Sequence, residues 1–95
     1  MYQIKRTKLF EKSYKKIKNS GILKPQIIKT LENVIDSLKN SQKLDKKFKD
    51  HQLIGELKEF RECHIKDDLL LVYKIEDSEL ILILVDIGSH TSVFS

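Results

Sequence analysis

A single cysteine, Cys63, rules out an internal disulfide in this chain of 95 residues, and it leaves any cysteine-based zinc site without companion ligands. A reducing, cytosolic setting is therefore expected. No apolar run approaches the roughly 20 residues of a membrane-spanning helix, so no membrane partner is expected. The first residues, MYQIKRTKLF, lack the apolar stretch of a secretory signal. Glycine is scarce, at three residues, and no Gly-rich phosphate loop, nucleotide fingerprint or Ser-centred elbow occurs. There is no close His-x-His or His-Glu-x-x-His pair, so neither a metal nor a cofactor is expected. Repeats and low-complexity tracts are absent as well. What remains is one domain, residues 1–95, large enough for a modest core without disulfides or metal.

Charge is abundant and unevenly placed. Residues 1–50 hold 14 Lys/Arg against 5 Asp/Glu, and residues 51–95 hold 4 against 9, for a net +4. All three histidines, His51, His64 and His90, fall in the acidic half. A basic half can attract a polyanion, and a half carrying every imidazole can do proton chemistry on it. Lysines around a helix are usually just its solvated face. Fourteen basic residues in fifty positions exceed that need.

The apolar spacing divides the chain in the same way. Tyr2-Gln3-Ile4-Lys5 alternates as a short strand. Thr7 can cap a helix with Leu9, Phe10, Tyr14 and Ile17 on one side, stopped by Asn19-Ser20-Gly21. Pro25 suits the first turn of a second helix reaching about Lys39, with Ile27, Ile28, Leu31, Val34, Ile35 and Leu38 as its buried stripe. Residues 40–50 form a Lys-rich connection. Strands are expected over Leu57 to Ile65, Leu69 to Ile75 and Leu80 to Ile87, separated by polar turns. The near-continuous apolar character of the last places it centrally. The order β-α-α-β-β-β predicts an α+β fold, a helical hairpin on one face of a mostly antiparallel four-stranded sheet. The other face is left for a site.

The histidines lie where strands begin and end: His51 opens the first long strand segment, His64 closes it and His90 follows the last strand. Asp67 and Asp68 form the turn after His64. If the strands pair in this order, these groups converge at one end or edge of the sheet and suit general acid–base catalysis near neutral pH. Any one surface histidine is by itself usually inert. Cys63 alternates out of phase with His64, so it belongs on the opposite side as a small core residue rather than in a Cys–His pair.

At KDHQLIGELKEFRECHIKDDLLLVYKI and GSHTSVF the chain resembles the YafQ branch of the RelE/ParE toxin superfamily. The shared pattern is D-H-x-L-x-G, an aromatic-Arg-x-x-His strand end, an acidic turn, L-V-Y-K and a terminal G-[ST]-H-x-x-x-F, spanning residues 49–94. The resemblance implies a RelE-like fold and a small cytoplasmic bacterial toxin. Such a toxin cleaves mRNA without a metal, usually at the ribosome, is silenced by an antitoxin, and reaches operator DNA only through the antitoxin complex. It places His51, His64, Asp68 and His90 in the catalytic set and Phe94 beside the substrate. Within that set, Asp68 or His51 is expected as base and His90 as acid. His64 would hold the phosphate and Phe94 would stack on a base. Two departures stand out. The aromatic that often follows the aspartate is Leu69 here. The family also tends to carry an arginine just upstream of the glycine, where this chain has Asp86, reversing an electrostatic contribution near a phosphate. Arg61 or a lysine can take that cation's place.

Two other functions compete. One is a non-catalytic poison like the ParE side of the superfamily, acting on a topoisomerase, which has no need of clustered histidines. The other is a weakened toxin whose remaining task is antitoxin binding and operon repression, an alternative that Asp86 keeps open.

Overall fold

A computed structural model describes residues 1–93 of the chain. Strand β1 (Gln3–Arg6) leads into helix α1 (Lys8–Asn19), followed by α2 (Pro25–Lys39). Thr7 begins α1 as a capping side chain, its Oγ1 accepting from the Phe10 N–H at 2.9 Å. Gly21 takes the positive φ of 82° that turns the chain out of α1. Pro25 opens α2, where its missing N–H costs nothing. After the Lys-rich connection come β2 (His51–Gln52), β3 (Arg61–Lys66), β4 (Leu69–Glu76), β5 (Ile81–Gly88) and a final turn of helix, α3 (His90–Val93). Among the described residues no helix is long and apolar enough to cross a membrane.

The strands form a sheet in the order β1-β5-β4-β3-β2, with β1 parallel to β5 and the other pairs antiparallel. The α+β order is as the residue pattern predicts, and β5 does lie inside the sheet. The sheet has five strands rather than four. His51 and Gln52 split off as a short strand paired with Glu62 and Arg61. Residues 57–60, expected as strand, instead belong to a tight connection. Gly55, at φ 66°, starts a 3-10 turn over Gly55–Leu57, and the Phe60 N–H then bonds to the Leu57 carbonyl. Local alternation there is outweighed by turn hydrogen bonds.

One face of the sheet packs on the helices. Phe10, Leu31, Val34 and Leu38 meet Cys63, Ile65, Leu69, Leu71, Tyr73, Leu82, Leu84 and Ile87 in a single core. Cys63 is fully buried there, as alternation predicts. Leu9 is 53% exposed and stays outside it: the buried side of α1 follows Phe10, Tyr14 and Ile17, leaving position 9 at its edge. Alternating residues of β3 and β4, among them Glu62, His64, Leu70 and Val72, point to the opposite face. Strict alternation from Leu82 and Leu84 would send Asp86 into the core. A bulge at Val85 prevents this: Tyr73 pairs with Leu84 but Val72 pairs with Asp86. The carboxylate is thereby turned to the histidine face, and Ile87 enters the core instead. Thr7 holds the bulge, donating from Oγ1 to the Val85 carbonyl at 2.7 Å.

Candidate functional site

Strand register brings the predicted residues into two rows on the face opposite α1 and α2. His51, Glu62, Val72 and Asp86 lie side by side across β2, β3, β4 and β5. His64, Leu70 and Gly88 form the next row. His90 begins α3 immediately beyond, and its ring lies 5.4 Å from that of His64 at 63°. The three histidines therefore do converge, as their strand-end positions suggested.

Glu62 is the centre of this arrangement. Its Oε1 lies 3.8 Å from His51 Nε2 and 3.8 Å from His64 Nε2. Its side chain is almost fully buried, while that of His64 retains 20% exposure and that of His51 49%. Glu62 is not among the residues that the sequence pattern singles out. A signal existed, since Glu62 and His64 are two apart on one strand and so share a face.

Asp68 holds His90. Its Oδ1 accepts from the His90 backbone N–H at 3.1 Å and contacts His90 Nδ1 at 2.6 Å. An ionised carboxylate can only accept, so Nδ1 carries the hydrogen and Nε2 is the nitrogen left for chemistry. The hydrogen bond from the ring, followed by that from the backbone, holds the Asp68 carboxyl below the usual carboxylate value. Asp67 sits beside it in the turn at a positive φ of 46°. His51 is fixed similarly: its Nδ1 meets the Lys49 carbonyl at 2.7 Å, which leaves Nε2 facing Glu62.

Arg61 is already engaged. Its Nη2 donates to Asp50 Oδ2 at 3.1 Å and its Nε to the Tyr73 hydroxyl at 3.2 Å. Tyr73 in turn donates to Asp50 Oδ1 at 2.5 Å. Burial, and then the bond to Asp50, push the Tyr73 phenol well above its ordinary value. The network ties the residue just before His51 to β3 and β4. No sequence signal links Asp50 to Tyr73, 23 positions away. Leu69 is in the helix-facing core and leaves no side chain on the histidine face. Asp86 is 5% exposed, and its Oδ1 accepts from the Ile87 N–H at 2.8 Å. Phe94 lies outside the described residues.

Glu62, His64 and His90 also place one ligand atom each within 4.8 Å of one another. Two imidazoles and a carboxylate suit zinc, copper or nickel better than calcium or magnesium.

Residues 2–95 match the family described as the bacterial toxin of the type II toxin–antitoxin system, YafQ. A toxin from Helicobacter pylori, solved in a metal-bound form, is 45% identical, covers 99% of this chain and 100% of its own, and superposes with a TM-score of 0.88. The Escherichia coli DinJ–YafQ complex is 26% identical, with full coverage of both chains and a TM-score of 0.83. A Haemophilus influenzae protein carrying the YafQ toxin name is 45% identical over 40 residues, a match spanning 42% of this chain and 39% of that protein.

Proposed function

Since the chain belongs to the YafQ family of bacterial type II toxin–antitoxin toxins, we propose that it is an endoribonuclease that cuts mRNA by acid–base chemistry and so blocks translation. The observation that carries this is His90, oriented by Asp68 through Nδ1, beside His64 on the sheet face opposite α1 and α2. RNA supplies its own nucleophile. A base removes the 2′-hydroxyl proton, the 2′-oxygen bonds to phosphorus, and the bond to the 5′-oxygen breaks as an acid protonates it. This requires a base, an acid and a group that steadies the phosphorane charge, and imidazoles can supply all three without a metal.

The site runs from His51 through Glu62 and His64 to His90, which suits in-line displacement with base and acid at opposite ends. His51 is the base, with Nε2 as the acceptor. His90 protonates the leaving oxygen from Nε2, and His64, between them, holds the phosphate. Asp68 orients His90; its lowered pKa and two hydrogen bonds make it a poor base. Phe94, carried by the terminal G-[ST]-H-x-x-x-F pattern, is the residue proposed to stack on a substrate base.

A cognate antitoxin silences the toxin in this proposal, supported by the full-length likeness to the chain in the Escherichia coli DinJ–YafQ complex. An acidic antitoxin segment is drawn to the basic half of the chain, and operator DNA is met only through that complex.

The test is incubation of purified protein with RNA in EDTA, with and without ribosomes. Cleavage is expected, and it should be lost in His64→Ala and His90→Ala. No cleavage under either condition, with tight antitoxin binding intact, overturns the enzyme in favour of a binding-only toxin.

The Glu62–His64–His90 donor set favours a second, inhibited state, and the Helicobacter pylori relative was solved with metal bound. A metal there would take two of the imidazoles that catalysis needs. Micromolar zinc or copper is therefore expected to suppress cleavage and EDTA to restore it; a metal-stimulated reaction would refute the metal-independent scheme.

A further inference from the structure

The catalytic face is acidic, yet the substrate proposed for it is a polyanion. Glu62, Asp68 and Asp86 all lie on it or at its margin, and Arg61 is committed to Asp50 and Tyr73. An RNA phosphate held at His64 needs cations from next to the face rather than from within it.

They are present at the outer edge of β3. Beyond the two residues that β2 covers, this edge faces a turn of 3-10 helix, Lys46–Phe48, which ends at Lys49 in the left-handed conformation at φ 49°. Between the turn, β3 and the β3–β4 turn lies a cavity of about 420 Å³, whose lining includes Lys47, Phe48, Lys49, His64, Lys66 and Asp67. Phe48 packs against the core, and the Lys47 ammonium stands 5.2 Å from its ring centroid. Among the described residues none of these three lysines forms an ion pair, so their charges are uncommitted. His64 is common to both: it lines the cavity and belongs to the histidine cluster.

We propose that this cavity is a phosphate-backbone subsite for single-stranded RNA, in which Lys47, Lys49 and Lys66 hold the strand beside the bond presented to His64. The inference rests on the RNA-cleaving function and supplies the cations that Asp86 does not. Contacts of this kind set affinity and strand position without reading sequence.

The test measures fluorescence anisotropy of a short single-stranded RNA, 2′-O-methylated so that it cannot be cut, across a range of NaCl concentrations. Wild type is compared with Lys47→Gln/Lys49→Gln/Lys66→Gln and with Lys12→Gln/Lys15→Gln/Lys16→Gln on α1, which removes the same charge. The cavity variant is expected to lower the slope of log affinity against log salt by roughly 2, at about 0.7 per lost phosphate contact, while the α1 variant leaves it nearly unchanged. With cuttable RNA, KM should rise far more than kcat falls. A triple Lys→Arg variant at the cavity should keep both the slope and the KM. Equal losses in the two glutamine variants, an unchanged slope at the cavity, or no RNA binding by wild type overturns the subsite. Binding with the expected slopes but no cleavage leaves the subsite standing and removes the nuclease. Cleavage that survives with an unshifted slope does the reverse.

Discussion

His90 meets Asp68 through both its ring and its backbone N–H, so one carboxylate oxygen fixes the imidazole and the start of α3 together. Asp68→Asn keeps an accepting oxygen but allows the amide to turn and present a donor, which frees the ring to rotate. Single-turnover cleavage by this variant is expected to lose much of the roughly 10²–10⁴-fold that a positioned proton donor contributes. An unchanged rate would remove Asp68 from the site. Asp86 answers a different question. In Asp86→Asn the amide oxygen still accepts from Ile87, so the fold is kept while a negative charge leaves the histidine face. RNA affinity is expected to rise at low salt, read by anisotropy; an unaltered affinity would mean that the buried carboxylate is not felt by the substrate. Glu62 links His51 and His64 through a single oxygen, a role that a count of histidines does not reveal.

Among the elements, β5 and the two segments flanking the sheet decide where the chemistry faces. Thr7 caps α1 and also donates to the carbonyl at the Val85 bulge. Thr7→Ala therefore loses a helix cap and a bulge anchor at once. About 1–2 kcal/mol of stability is expected to go with it, measured by urea unfolding, and Thr7→Ser should restore most of it. A loss no larger than that of an exposed α1 substitution would show the two bonds to be incidental. At the far end of β5, a Cβ on Gly88 would come within 2.4 Å of Ser92 Oγ. The bare backbone there lets α3 fold close against the strand and delivers His90 to the site. The short β2 strand does the same for His51.

For the molecule as a whole, charge and burial set the response to solvent. The basic first half and acidic second half meet near His64, where the lysine-lined cavity adjoins the carboxylate-bearing face. Alkaline pH acts on the core. Burial raises the Cys63 thiol from 9.0 to about 12. A raised folded-state pKa contributes stability fully present below the unfolded value, so stability is expected to decline as pH climbs from about 9 towards 12. Tyr73 is shifted in the same direction from 10.0. Urea unfolding across this range should show a shallower decline in Cys63→Ala than in wild type. Parallel declines would show that the thiol does not drive the alkaline loss.

The residue order by itself determined the two amphipathic helices, the apolar inner strands, the inward placement of Cys63 and the strand-end positions of the histidines. These follow from periodicities of 3.6 and 2, which are local properties. The resemblance to the YafQ pattern, rather than any periodicity, made Asp86 conspicuous. Only the tertiary structure decided that Asp86 faces the histidines, because a one-residue bulge inverts the alternation and is fixed by Thr7, far away in the chain. Only strand register set Glu62 between His51 and His64. Pairing across the fold likewise closed Arg61 into a network with Asp50 and Tyr73, beside His51. Local pattern specifies which face of an element is buried; which side chains then meet depends on register and long-range hydrogen bonds, which a linear pattern does not carry.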